Sequence, residues 1–332
     1  MVAFIALLPF RRLSEIPLSF FAISLAFLAR SPANRERIAK ASKFILPLFL
    51  CYWIPMLISS FDSMLPEKSW STSAAALRYL AAALAMSVLL AQPSARERVL
   101  RWTAWLLLFW AVDAFVQLFL GRDVFGIAMH PDRLNALFIK KYQFFGPTLA
   151  MLSPLVLEHA RRQWRPWAWA VSFALILGAV MIAGMRAGWL TMGLVLITYM
   201  ILMLRPENRE LRQTMLTIPA LSVIVLTGAY FASPLFQERV DVIRAVTVDT
   251  GSALDESTRE RIPIFKAALK MYREHPVNGV GVRAFPVAYM EYAEPDDVHI
   301  RKSGGKTGGR HAHNLRLEIM SDTGTIGLLG LL

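Results

Sequence analysis

Residues 167–204 read WAWAVSFALILGAVMIAGMRAGWLTMGLVLITYMILML and carry a single charge, Arg186. Two apolar runs, 167–184 and 188–204, flank it, and each is close to the length that crosses the hydrocarbon core of a bilayer. The short turn 185–187 between them makes the stretch a helical hairpin in a membrane. A soluble domain would spread its charge along helix and strand faces instead.

The rest of the chain repeats this pattern. Its mean hydropathy is +0.44, and apolar runs fall at about 1–10, 14–29, 43–61, 73–92, 102–120, 144–158, 215–232 and 314–332 besides the two above. An all-α, polytopic transmembrane bundle with one large polar loop region that contains helices is the expected fold. Residues 1–232 form its N-terminal part, with about nine spans. Residues 233–313 are the loop region, and 314–332 begin a C-terminal membrane region. The last run stops at Leu332 with no cap or polar tail, and the expectation is that the membrane region continues beyond it.

Charge sets the orientation. The segments 30–43 (Arg30, Arg35, Arg37, Lys40, Lys43), 93–101 (Arg96, Arg98, Arg101), 159–166 (Arg161, Arg162, Arg165) and 205–213 (Arg205, Arg209, Arg212) are basic. By the positive-inside rule they face the cytoplasm. The segments 62–72, 121–143, 185–187 and 233–313 then lie on the outer face, although 121–143 fits less well because it carries Arg122, Arg133, Lys140 and Lys141. Arg11-Arg12 falls on the wrong side of this count, which a re-entrant pair or one bent span over 1–29 would accommodate.

The composition excludes several classes. The net charge of +12 comes from clusters flanking apolar runs, so topology and anionic lipid headgroups account for it without nucleic acid. One cysteine, Cys51, rules out a disulfide framework and a Cys-based metal site. In the first run charge follows rather than precedes the apolar part, and no small-residue cleavage site comes next, so it reads as a short first helix rather than a signal peptide.

Within 233–313, Ser257-Thr258 can cap a helix running to about His275, with Pro276 as its stop. Ile262, Phe265, Leu269 and Tyr272 recur at helical spacing opposite Lys266, Lys270 and Arg273, which suits a helix lying on the membrane or the bundle. Arg261 borders this apolar side and is expected to point inward. Gly279-Val-Gly281 makes a turn, and 295–310 is polar, Gly-rich and basic, as a lid or substrate loop would be.

The topology collects Arg186, Arg261, Arg310, His311 and His313 on the outer face. Arg186, at a membrane boundary, is either a functional group or an anchor that snorkels to the interface. Guanidinium forks match phosphate oxygens, so two such arginines suit a diphosphate. His313 has three readings: a general base, a metal ligand with His311 and Asp296 or Asp297, or an ordinary polar residue at a helix start. Arg301, Lys302, Lys306 and Arg310 would repel a cation, so no metal is expected. Arg78 and Asp113, the two charges inside spans, could pair across neighbouring helices. There is no phosphate-binding loop for a nucleotide, and no Asp-x-Asp pair for a metal-bound sugar nucleotide.

His313-Asn314, followed by Gly324, Gly327 and Gly330, resembles the signature of the O-antigen ligase family at its last periplasmic loop. Arg186-Ala-Gly-Trp-Leu190 looks like that family's Arg-x-x-x-Leu element. Arg261-Ile-Pro-Ile-Phe265 through Pro276 and Gly279-Val-Gly281 resembles its large-loop stretch, with Phe265 where Trp is usual. Arg133-Leu-Asn-Ala-Leu-Phe138 looks like a weaker element.

The resemblance implies a multi-span inner-membrane glycosyltransferase with a periplasmic site and neither metal nor nucleotide cofactor. The donor would be a glycan on undecaprenyl diphosphate, and the acceptor a sugar hydroxyl of the lipid A-core. His313 would be the base and Arg186 and Arg261 the diphosphate ligands, with Arg310, His311, Asn314 and Arg133 as further site candidates. An O-antigen polymerase or protein O-oligosaccharyltransferase of the same superfamily would use the same donor. A secondary transporter, the rival from another class, should show repeated halves and broken spans with polar residues at the midplane.

Overall fold

The computed structural model describes residues 1–130, 134–138, 144–203, 217–232, 234, 236–238, 240–241 and 256–332. The described residues are all-α, with one isolated bridge between Arg122 and Ala128. The helices are α1 (Val2–Ala6), a 3-10 segment (Leu8–Ser14), α2 (Glu15–Leu28), α3 (Pro32–Phe61), α4 (Pro66–Leu89), α5 (Pro93–Leu120), α6 (Phe145–Gln163), α7 (Pro166–Ile182), α8 (Arg186–Met203), α9 (Thr217–Ala232), α10 (Glu256–Glu274), α11 (Phe285–Tyr292), α12 (Val298–Lys302) and α13 (Leu315–Leu331). Arg133 and the 205–213 cluster lie outside the described residues.

Among the described residues α3, α4 and α5 are long and apolar enough to cross a membrane, and 166–182, 186–202 and 220–231 are shorter apolar helices. Phe44, Phe119, Leu190 and Phe231 are more than 70 % exposed, which water would penalise and lipid does not. The protein is a membrane protein. The basic clusters 30–43 and 93–101 are not separate connections, because α3 starts at Pro32 and α5 at Pro93, each with proline at the first turn. Proline there loses no hydrogen bond, and Arg, Lys, Glu and Ala continue a helix readily.

The chain divides into two compact units, one of Met1–Pro17 with Leu90–Val248 and the other of Leu18–Leu89 with Asp249–Leu332. In the first, α6 packs on α5, α7 and α8, and α7 also meets α9. A Cβ on Gly188 would lie 3.0 Å from the Gly146 carbonyl carbon, so glycine allows α8 to approach the start of α6. The buried Asp113 of α5 accepts the Val124 N–H at 2.8 Å, and Gln117 accepts the N–H groups of Asn135 and Ala136 at 3.2 and 2.7 Å. These two side chains fold 121–130 and 134–138 back onto α5. Asp113 holds its own connection, and Arg78 bonds the Tyr79 hydroxyl at 3.2 Å.

In the second unit α3 and α4 are joined through small polar side chains. Ser60 and Ser73 hydroxyls lie 2.9 Å apart, Ser63 and Ser69 hydroxyls 2.7 Å, and Trp53 Nε1 donates to the Ser73 carbonyl at 2.8 Å. Such bonds hold helices together where lipid removes the hydrophobic drive. Helix α13 packs on α3 and α10. A Cβ on Gly330 would fall 2.1 Å from the Cys51 carbonyl oxygen, so its glycine serves close helix approach.

Gly324 does something else. It takes φ 63°, ψ −155° and breaks α13. Thr325 and Ile326 N–H groups turn to the carbonyls of Pro276 and Val277, at 2.9 and 3.2 Å, while Ser321 and Asp322 carbonyls accept Val280 and Gly281 N–H at 2.7 and 3.1 Å. One turn of helix has exchanged its internal bonds for bonds to the 276–281 turn. That turn is also tied to the α3–α4 connection, through Met64 N–H to Val280 O at 2.9 Å and Ser69 Oγ to Val282 O at 2.7 Å. Irregular backbone is tolerated beside a membrane only when its polar groups are paired in this way.

Candidate active site

Helix α10 carries Arg261, and its packing differs from the sequence expectation. The buried stripe is Ile264, Ala267, Ala268 and Met271, displaced around the helix from Ile262, Phe265, Leu269 and Tyr272. Ile262 is exposed. The two alanines explain the shift, since they let α10 lie close to its neighbours where bulkier residues would hold it off. Ser257-Thr258 lie within the helix rather than before it, because α10 starts at Glu256. Arg261 is exposed and does not point inward. It lies one turn before Ile264, and its charge acts on His313.

His313 immediately precedes α13. Asn314 is that helix's N-cap, and its Oδ1 accepts Arg316 N–H at 3.0 Å and Leu317 N–H at 3.2 Å. Asn314 therefore sets where the helix starts, and with it the place of His313. His313 has φ 53°, a left-handed conformation that costs a non-glycine residue about 1–3 kcal/mol and recurs at functional sites. The rings of His311 and His313 lie 3.9 Å apart between centroids, and the His313 N–H points to His311 Nδ1 at 3.4 Å. Both imidazoles are exposed, while Ala312 between them is wholly buried.

Burial of part of its ring lowers the His313 pKa below the usual imidazole value, and His311, Arg261 and His299 push it further the same way. The positive end of the α13 dipole adds to this. The result is an imidazole held neutral, able to accept a proton, in surroundings that disfavour a cation. Arg310 is exposed beside His311.

Arg186 is in the first unit. Gly184, at φ 69°, closes α7, and Arg186 opens α8. Trp189 Nε1 donates to the Met181 carbonyl at 3.1 Å and fixes the turn. A cation at a helix N-terminus gains nothing from the dipole, so helix stability does not explain the arginine. An exposed guanidinium at the positive end of a helix suits an anion.

Residues 171–332 match the family model of the O-antigen ligases. This part of the chain belongs to the O-antigen ligase family. No curated protein matches the chain at a significant level. The match places these residues in the O-antigen ligase/polymerase superfamily, membrane proteins of glycosyl transfer that handle lipid-linked glycans. Arg186, Arg261, Arg310, His311, His313 and Asn314 all lie in the family region; Arg133 lies outside it and outside the described residues.

The second unit brings Arg261, His299 and His311 within electrostatic reach of His313. Sequence reading missed His299 and the buried pair Tyr289–Asp297, where the Tyr289 hydroxyl donates to Asp297 Oδ2 at 2.9 Å. The signal available for the pair was Asp297 as a cap: its Oδ1 accepts the N–H groups of His299 and Ile300 at 2.8 and 3.2 Å.

Proposed function

We propose that the protein is an O-antigen ligase of the bacterial inner membrane, with its site on the periplasmic face. It transfers a polysaccharide from undecaprenyl diphosphate to a sugar hydroxyl of the lipid A-core. His313 accepts the proton of the acceptor hydroxyl as that oxygen attacks the anomeric carbon. The bond from that carbon to the diphosphate oxygen breaks, and undecaprenyl diphosphate leaves with the electron pair. Arg261 and Arg186 bind the diphosphate and stabilise its charge as it departs. Arg261 enters this role from its charge beside His313, and Arg186 from its sequence element and the helix start it occupies.

The observation that carries the reading is His313, exposed at the start of α13 with its basicity lowered by packing and by cationic neighbours that include Arg261. A diphosphate is a good leaving group without an acid catalyst, so one base and cationic phosphate ligands suffice. The periplasmic orientation is supported by the contact of 276–283 with the α3–α4 connection. The positive-inside count puts both segments on the outer face. The break in α13 is a feature a transporter would share. Here the freed backbone groups are taken up by 276–281, which favours a structural joint over a transport pathway.

The test is transfer of glycan from undecaprenyl diphosphate by the purified protein, with lipid A-core, a second lipid-linked glycan and a pilin-type protein offered in parallel. Product on lipid A-core alone is the expected result. Product on the second or third acceptor alone would make the protein a polymerase or a protein O-oligosaccharyltransferase.

A further inference from the structure

The loop carrying the two histidines is built on one aromatic ring. Tyr289 of α11 is wholly buried. Its ring lies against Phe285 at 5.9 Å and edge-on to His299 at 6.4 Å between centroids. A Cβ on Gly308 would fall 2.2 Å from Tyr289 Cδ1, and one on Gly309 2.7 Å from Cε2. Those atoms belong to opposite edges of the ring, so the Gly308–Gly309 peptide crosses its face. Neither glycine has a positive φ, so what Gly-Gly supplies is space for the ring, not an unusual backbone. Three residues on, Ala312 is buried in the same apolar cluster as Tyr289, with His311 and His313 exposed on either side.

We propose that Tyr289, oriented by Asp297, is a positioning residue for His313. The ring sets the depth at which 308–312 lies, and Ala312 anchors the far end. The hydroxyl, bonded to an Asp297 that itself caps α12, fixes the ring's rotation. The same pair holds α12, whose His299 acts on His313. Tyr289 touches no reacting group, and its effect runs through the placement of one imidazole. This inference rests on His313 being the base.

The test pairs Gly309→Ala with Tyr289→Leu in the full-length protein. Gly309→Ala alone should lower kcat by about a hundredfold, the scale of a catalytic group displaced by about 1 Å, with KM for the lipid-diphosphate donor unchanged. The double variant, with room for the added methyl, should regain at least about tenfold of that loss, a non-additivity expected only of groups in contact. Carbethoxylation of His313 in membranes, followed by mass spectrometry against His275 as internal reference, reads the loop independently of turnover. Its rate should change in Gly309→Ala and return in the double variant. A wild-type protein without transferase activity would refute the functional reading, and the labelling rates would still decide the positioning. Additive losses, or His313 labelling that Gly309→Ala leaves unchanged, would overturn the proposal.

Discussion

Gly324→Ala should detach the 276–283 turn from α13 rather than unfold the protein. An alanine Cβ at 324 would lie 2.3 Å from the Val277 carbonyl oxygen and 2.6 Å from the Asn278 nitrogen. These are backbone atoms, so no rotamer change relieves the overlap. The φ 63°, ψ −155° conformation adds strain of roughly 1–3 kcal/mol for any residue with a Cβ. The alternative is a straight helix. It would regain two internal hydrogen bonds in place of the four backbone bonds now made to the turn, a net loss of two backbone bonds at about 1 kcal/mol each. Alanine favours that straight helix over glycine by about 1 kcal/mol. The balance therefore moves by roughly 2–4 kcal/mol, before the overlap is counted. The opposing preference is about 2 kcal/mol. Arg283, exposed and next to the buried Ala284, provides a tryptic site that opens with the turn. Cleavage there in membranes should quicken by about tenfold or more, because proteolysis follows the population of the open form. Glycan transfer should fall with it. Wild-type cleavage together with wild-type transfer would refute the reasoning about the broken helix.

Three further outcomes follow from the site. Arg261→Gln removes a positive charge that lowers the His313 pKa, so that pKa rises and the acid limb of kcat/KM for the acceptor moves to higher pH; an unmoved limb would separate the two residues. Arg186→Lys keeps the charge but loses the bidentate fork, and should weaken donor binding or turnover by about thirty- to a thousandfold, the 2–4 kcal/mol range of one oxyanion contact, measured by lipid-diphosphate binding and transfer in parallel. Chelators should leave transfer intact, because the cationic groups around His313 oppose a metal ion; loss of activity on metal removal, restored by zinc, would contradict this.

The membrane class of the fold was legible because hydropathy needs only length and the absence of charge, as in 167–204. Helix ends were less so. The clusters 30–43 and 93–101 look like connections by their charge, yet their residues are good helix formers and continue α3 and α5. Gly324, Gly327 and Gly330 recur every third residue, the spacing of a small-residue face for helix approach. Gly330 fits that use, but Gly324 is a break whose partner, the 276–281 turn, is distant in sequence and leaves no local mark. Arg261 was recognisable as a candidate, while its exposure was not, because the buried stripe of α10 runs over Ala267 and Ala268 rather than over the bulkiest residues. The Gly308-Gly309 pair looked like a flexible loop. Its requirement comes from the ring of Tyr289, about twenty residues earlier.

The central claim, that His313 is the base of a glycosyl transfer, is tested most directly by comparing His313→Ala and His311→Ala, with lipid-diphosphate binding and glycan transfer measured separately. The account predicts that His313→Ala binds donor almost normally and transfers nothing, whereas His311→Ala is milder. Transfer at a near wild-type rate by His313→Ala, with His311→Ala inactive, would contradict it and move the base to the other imidazole.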